Sequence, residues 1–126
     1  MTKDKIRVGV IGTGWGARTH LPSFQKLPEA EVIAVCTAHQ ATAEEAARSF
    51  GIPKAYWDYR QMVRDADIDL VSVASRVSLH YPIVMEALKA GKHVLCEWPL
   101  ALNERQAQEL LHQAEASGVA HGVGNQ

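Results

Sequence analysis

At 126 residues the chain is long enough to bury about two-thirds of its unfolded surface as one domain, without metals or disulfides to hold it together. Its 47% hydrophobic and 21% charged residues match a globular protein, and a formal charge of −1 with no basic block excludes an electrostatic footprint for nucleic acid or a membrane surface. The polar start runs into an apolar stretch of only about six residues, and nothing approaches the roughly 20 apolar residues of a membrane span, so a cytoplasmic protein is expected. The first element, Ile6–Ile11, is a continuous apolar run of buried-strand type. It enters a glycine-rich stretch in which Gly12, Gly14 and Ala17 follow the G-x-G-x-x-G/A spacing of a dinucleotide-phosphate loop. Gly12 and Gly14 allow a tight turn and close backbone approach to a pyrophosphate, and Ala17 lets helix pack on strand. The helix start beyond offers free N–H groups and a positive dipole end. Thr13, Trp15 and Gly16 complete the loop. A helix from Gly16 to Leu27 is expected to turn Ala17, Leu21, Phe24 and Leu27 inward, with a kink at Pro22.

Glu31–Cys36 is the second strand, and an alanine-rich helix from Thr42 to Phe50 follows, ended by Gly51 and Pro53. A short third strand at Ala55–Trp57 precedes a helical turn through Arg60–Arg64. Asp69–Ala74 is the fourth strand, and a helix from Tyr81 to Ala90 carries its apolar stripe on Val84, Ala87 and Leu88 and stops at Gly91. After a fifth strand at His93–Cys96, Asn103 is placed to N-cap a helix whose Ala107, Leu110, Leu111 and Ala114 fall at i, i+3, i+4 and i+7. Gly118 ends that helix, and Val119–Val123 is the sixth strand. Strands alternating with helices at this spacing predict an α/β fold, a doubly wound parallel sheet of Rossmann type in the order 3-2-1-4-5-6, forming a single domain over residues 1–126. In such a sheet the ligand sits at the carboxyl ends of the strands, which directs attention to Gly12–Gly16, Thr37–His39, Ser75–His80 and Glu97–Leu100.

Cys36 and Cys96 end separate strands and read as reduced core residues, not a bridge. His20, His93, His112 and His121 have no ligand spacing, so no metal site is expected. Nor is there a G-x-S-x-G nucleophile elbow.

Three segments taken together carry a resemblance: Val10–Ala17 (Val-Ile-Gly-Thr-Gly-Trp-Gly-Ala), Val73–His80 (Val-Ala-Ser-Arg-Val-Ser-Leu-His) and Ala90–Ala101 (Ala-Gly-Lys-His-Val-Leu-Cys-Glu-Trp-Pro-Leu-Ala). In this order they resemble the N-terminal domain of the glucose-fructose oxidoreductase and inositol dehydrogenase family (Gfo/Idh/MocA). The resemblance implies NAD or NADP as cofactor and a small-molecule substrate, a sugar or polyol oxidised or reduced at a hydroxyl or carbonyl group. It also implies a second, α+β domain that completes the substrate site and carries any homo-oligomer interface. That domain has no counterpart here, so this chain by itself is expected to be inactive, as part of a longer protein or as a stand-alone cofactor-binding module.

Three places depart from the family's pattern. Where the family has Glu-Lys-Pro, this chain has Glu97, Trp98 and Pro99. Glu97 keeps the place implied beside the nicotinamide ribose, but an indole cannot do the acid-base work of a lysine. Trp98 is left to wall the nicotinamide, bind a sugar face or serve as a buried aromatic, and the catalytic group is unassigned. The second strand ends in Thr37, Ala38 and His39 with no carboxylate for the ribose hydroxyls of NAD. Thr37 can donate to a phosphate, and His39 can approach the same oxygens, pack by adenine or be a solvated loop residue, which tilts the cofactor toward NADP while keeping NAD open. Ser75, Arg76 and Val77 stand for the family's Thr-Pro-Asn, with Ser75 near the pyrophosphate and Arg76 a fixed charge at the mouth or a plain surface arginine. His80 matches a family histidine and either contacts cofactor or packs at the helix start. The alternative to an oxidoreductase is a non-catalytic NADP-binding sensor, in which loss of the lysine is expected.

Overall fold

The computed structural model describes residues 5–12, 21–75, 77–97 and 101–124. Six strands, β1 (Ile6–Ile11), β2 (Ala30–Cys36), β3 (Lys54–Tyr56), β4 (Leu70–Val73), β5 (His93–Glu97) and β6 (His121–Gly124), form one sheet in the order β3-β2-β1-β4-β5-β6. Every neighbouring pair is parallel. The connections hold residues 21–25, which are helical, then α1 (Gln40–Phe50), α2 (Tyr59–Val63), α3 (His80–Lys89) and α4 (Glu104–Ser117). This is the doubly wound α/β architecture the sequence predicts, with boundaries shifted by one or two residues.

Both faces of the sheet are covered, which is why its strands are continuous apolar runs. One face buries Val8, Val10, Val32 and Val35 with Leu21 and Ile52, and the other buries Ile11, Ile33, Cys36, Val71 and Val73 under α2, α3 and α4. The register of β1 against β2 slips between Val8 and Gly9, so Val8 faces Val32 and Gly9 faces Ala34. The extra residue explains why consecutive Ile33 and Ala34 both join the second cluster, where strict alternation would separate them. A Cβ at Gly9 would stand 2.8 Å from Met62 Cε, the flexible end of a side chain of α2 that packs against β1 there.

Two stripe residues fall outside the core. Leu27 and Leu111 are each 49% exposed, Leu27 because residues 21–25 end the helix short of it and Leu111 because α4 turns Leu110 and Ala114 inward instead. The third strand ends one residue earlier than expected and releases Trp57 to the carboxyl edge of the sheet. Asp69 leaves the fourth strand to accept from the backbone and guanidinium of Arg7, at 2.9 and 3.3 Å. Ala120 leaves the sixth because its N–H donates to His93 Nδ1 at 2.9 Å. Asn103 Oδ1 accepts from Gln106 N at 2.9 Å, the expected cap, and Gly118 closes α4 in the left-handed conformation.

The amino ends of the strands carry the ion pairs. Lys54 Nζ lies 2.8 Å from Asp65 and 2.9 Å from Asp67, and Arg7 reaches Asp67 and Asp69. Lys92 Nζ donates to the carbonyls of Asp65 and Ile68 at 2.8 and 2.7 Å. Charge is thus gathered at the edge opposite the carboxyl ends of the strands.

Candidate functional site

At the carboxyl edge the ends of β1 and β4 approach each other with no room for a side chain between them. Gly12 follows β1 with φ +122°, and a Cβ placed on it would lie 2.6 Å from Ala74 O and 2.7 Å from Ala74 C. Its N–H donates to Cys36 O at 2.8 Å, tying the same point to the end of β2. Beside it opens a cleft of about 860 Å³, walled by Ile11 and Gly12, by Cys36–Ala38, by Ala74 and Ser75, and by Leu79 and Ile83. Residues Trp57–Gln61, between β3 and the first turns of α2, form a further part of its described wall. The cleft lies where successive connections leave the sheet on opposite sides, the place an open parallel sheet offers a ligand.

The structure brings together Gly12, Thr37 and Ser75 of the residues singled out in the sequence. Thr37 is buried, and its hydroxyl lies 2.8 Å from His39 O and 2.6 Å from Thr42 Oγ1, while the Thr42 hydroxyl reaches the same carbonyl at 3.0 Å. The two hydroxyls close the entry to α1 in place of a cap from the His39 side chain, which makes none. In this structure both contacts of the Thr37 hydroxyl lie within the protein, on the wall of the cleft. His39 is exposed and is not part of the cleft wall.

His80 is the buried alternative of its two readings. It is 2% exposed, and its Nε2 stands 2.7 Å from Ser75 O, so Nε2 carries the proton and donates to that carbonyl. It positions Ser75 from behind and does not form part of the wall. Glu97 closes β5, paired with Gly124. Thr13, Gly14, Trp15, Gly16, Ala17, Arg76 and Trp98 lie outside the described residues.

Sequence reasoning missed Trp57–Gln61. Trp57 is 46% exposed, Asp58 Oδ1 caps α2 by accepting from Arg60 N at 3.0 Å, and the Arg60 guanidinium lies 5.6 Å from the centre of the Tyr59 ring. The signal was present: ligands gather at the carboxyl ends of all parallel strands, and Trp-Asp-Tyr-Arg follows β3 directly. Cys36 sits at the cleft floor, its thiol pushed up to about 12 by burial and then by the Asp58 charge, which makes it an inert wall group. Cys36 and Cys96 are buried and not joined in a disulfide. Among the described residues no group of three His, Cys, Asp or Glu side chains is placed to hold a metal, and no helix is long and apolar enough to cross a membrane.

Comparison with known proteins agrees with this geometry. A family model described as an oxidoreductase family with an NAD-binding Rossmann fold matches residues 6–125. The chain is 34% identical over 116 residues to trans-1,2-dihydrobenzene-1,2-diol dehydrogenase of Mus musculus, an alignment covering 90% of this chain and 35% of that protein. Biliverdin reductase from Synechocystis sp. PCC 6803, solved with biliverdin and NADP+, superposes with a TM-score of 0.86 at 31% identity, over 94% of this chain and 37% of that one. Scyllo-inositol dehydrogenase from Lactobacillus casei, solved with NAD(H) and scyllo-inositol, superposes with a TM-score of 0.89 at 26% identity, over 96% and 36%. The chain thus spans little more than a third of the length of these relatives.

Proposed function

The chain belongs to the Gfo/Idh/MocA oxidoreductase family, and from that premise we propose that it is the nucleotide-binding part of a cytoplasmic NAD(P)-dependent oxidoreductase acting on hydroxyl or carbonyl groups of a sugar- or polyol-type small molecule. The observation that carries this reading is Gly12, whose missing Cβ lets the ends of β1 and β4 close to contact at the head of an open cleft. That is where a G-x-G-x-x-G/A loop needs backbone without side chain if a pyrophosphate is to approach.

The residues present fit a dinucleotide. Apolar Ile11, Leu79 and Ile83 offer surface to flat rings, and Ser75 brings a hydroxyl to the same wall. When bound, the nicotinamide supplies the hydride chemistry, and the chain's own work is to hold and orient it. Gly12 supplies the close approach. Gly14 and Ala17 continue the phosphate loop, with Thr13, Trp15 and Gly16 between and beside them. His80 holds the Ser75 carbonyl and with it the backbone that follows β4 at the cleft. By the family resemblance Glu97 is assigned to the nicotinamide ribose, and Trp98 is left to wall the nicotinamide, bind a sugar face or serve as a buried aromatic. Without a lysine beside the nicotinamide, the proton that accompanies hydride transfer is handled by a group outside this chain.

A second reading, a non-catalytic NADP-binding sensor, is favoured by one observation, the indole of Trp98 where acid-base chemistry needs an ammonium. Calorimetric titration with NADPH and NADH tests the common core of both readings. Saturable binding of either supports it, and failure of both to bind removes it. Trp98→Lys in the full-length protein separates the two: turnover gained where the wild type has none favours the sensor, and turnover in the wild type favours the oxidoreductase.

A further inference from the structure

The end of β2 lacks the group that would choose between NAD and NADP. It offers no carboxylate for ribose hydroxyls, Ala38 has no polar side chain, and the Thr37 hydroxyl is committed to His39 and Thr42. On the described part of the wall the only charged side chains are Asp58 and Arg60, both after β3. Asp58 has a structural duty, since its carboxylate accepts from the Arg60 N–H and caps α2. Arg60 has none comparable. Its guanidinium is exposed, rests over the Tyr59 ring and forms none of the close ion pairs found among the described residues. The Tyr59 hydroxyl, and after it the Asp58 and Glu86 charges, favour its charged form.

We propose that Arg60 receives the 2′-phosphate of NADP(H), so that specificity is read from the end of β3 in place of the end of β2. This rests on the nucleotide-binding function proposed above. A planar guanidinium presents paired donors that match a phosphate dianion, and its rest position on an aromatic face lowers the entropy lost on binding. Trp57, half-exposed on the same wall, provides an indole against which adenine stacks, a contact indifferent to the 2′-phosphate. The competing assignment is Asp58 as acceptor for the ribose 2′-hydroxyl, which would favour NADH.

The test is calorimetric titration of the wild-type chain, Arg60→Gln and Asp58→Asn with NADPH, NADH, 2′,5′-ADP and ADP. Arg60 is exposed, so the glutamine variant should keep the wild-type melting temperature, and Arg60→Lys should recover part of any loss. Arg60→Gln is expected to weaken NADPH and 2′,5′-ADP by about tenfold while NADH and ADP change by less than about twofold. The assignment is overturned if Arg60→Gln weakens all four ligands alike or none of them, or if the wild type prefers NADH and Asp58→Asn abolishes that preference. If neither dinucleotide binds the wild type, the nucleotide-binding reading itself has failed.

Discussion

Replacing Gly12 by alanine adds a methyl group where the fold has no volume for one. The new Cβ would lie 2.6 Å from Ala74 O, 2.7 Å from Ala74 C and 3.0 Å from Ser75 N, all backbone atoms that cannot rotate aside. Relief requires the ends of β1 and β4 to part, which strains the hydrogen bonds from Ala74 N to Ile11 O and from Gly12 N to Cys36 O, both 2.8 Å. Overpacking of this kind costs about 1–3 kcal/mol, and a φ of +122° adds about 1–3 kcal/mol for a residue with a Cβ. Together they come to about 4 kcal/mol, a large share of the roughly 5–15 kcal/mol that stabilises a domain. For a chain this long, each kcal/mol moves the melting temperature by about 4 °C, so Gly12→Ala should melt about 15 °C lower. Gly51→Ala is the control: its φ is +67°, but nothing lies within 4 Å of the new methyl, and the cost should be about 1 kcal/mol of backbone strain. Thermal and urea unfolding followed by circular dichroism compare the two. If Gly12→Ala loses no more stability than Gly51→Ala, the close approach of β1 and β4 is not what requires glycine there.

Three further outcomes follow from other parts of the molecule. Burial pushes the Asp65 carboxyl upward, but hydrogen bonds from Lys54 Nζ, Tyr56 OH and Asp67 N at 2.8, 2.6 and 2.9 Å outweigh it and hold it down to about 2 from 3.8. A depressed carboxylate stabilises the fold above its unfolded value and loses that contribution as the pH falls toward its folded value. Up to about 2 kcal/mol should therefore disappear between about pH 4 and pH 2. Urea unfolding at stepped pH should show a smaller loss in Asp65→Asn, and parallel decline of both proteins would contradict the assignment. His80→Ala removes the donor to Ser75 O and leaves a cavity behind the wall, so it should cost about 2 kcal/mol and weaken nucleotide binding. Unchanged stability and affinity would show that His80 does not position Ser75. With its thiol pushed up to about 12 inside the core, Cys36 should react with Ellman's reagent at pH 8 only as fast as the fold opens. Rapid labelling in native buffer, lost in Cys36→Ser, would contradict that.

The sheet order and the chain positions of its strands were legible because a doubly wound sheet buries both faces of every strand, leaving unbroken apolar runs such as Val32–Cys36. The end of α4 was legible for a local reason, since Gly118 supplies a left-handed cap that few other residues adopt. Boundaries slipped where tertiary partners outbid local pattern, as when Asp69 leaves β4 for Arg7 and Ala120 leaves β6 for His93. The slip in register at Ile33 has no sequence signature, because valine, isoleucine and alanine suit either face. At the site, Gly12 and Ser75 could be placed from spacing along the chain alone. The places of Thr37 and Arg60 could not, because which hydroxyl turns inward and which cation lies on the cleft wall depend on contacts between β2, β3 and α1 that no window of sequence contains.

Amide hydrogen exchange with and without saturating NADPH tests the location of the nucleotide site most directly. Slower exchange is expected at Gly12, at Thr37 and Ala38, at Trp57–Gln61 and at Ser75, the backbone that walls the cleft, with the ion-paired edge around Asp65 and Asp67 unchanged. Protection confined to the opposite edge, or absent everywhere at a concentration shown to saturate binding, would contradict a dinucleotide site at the carboxyl ends of β1, β2 and β4.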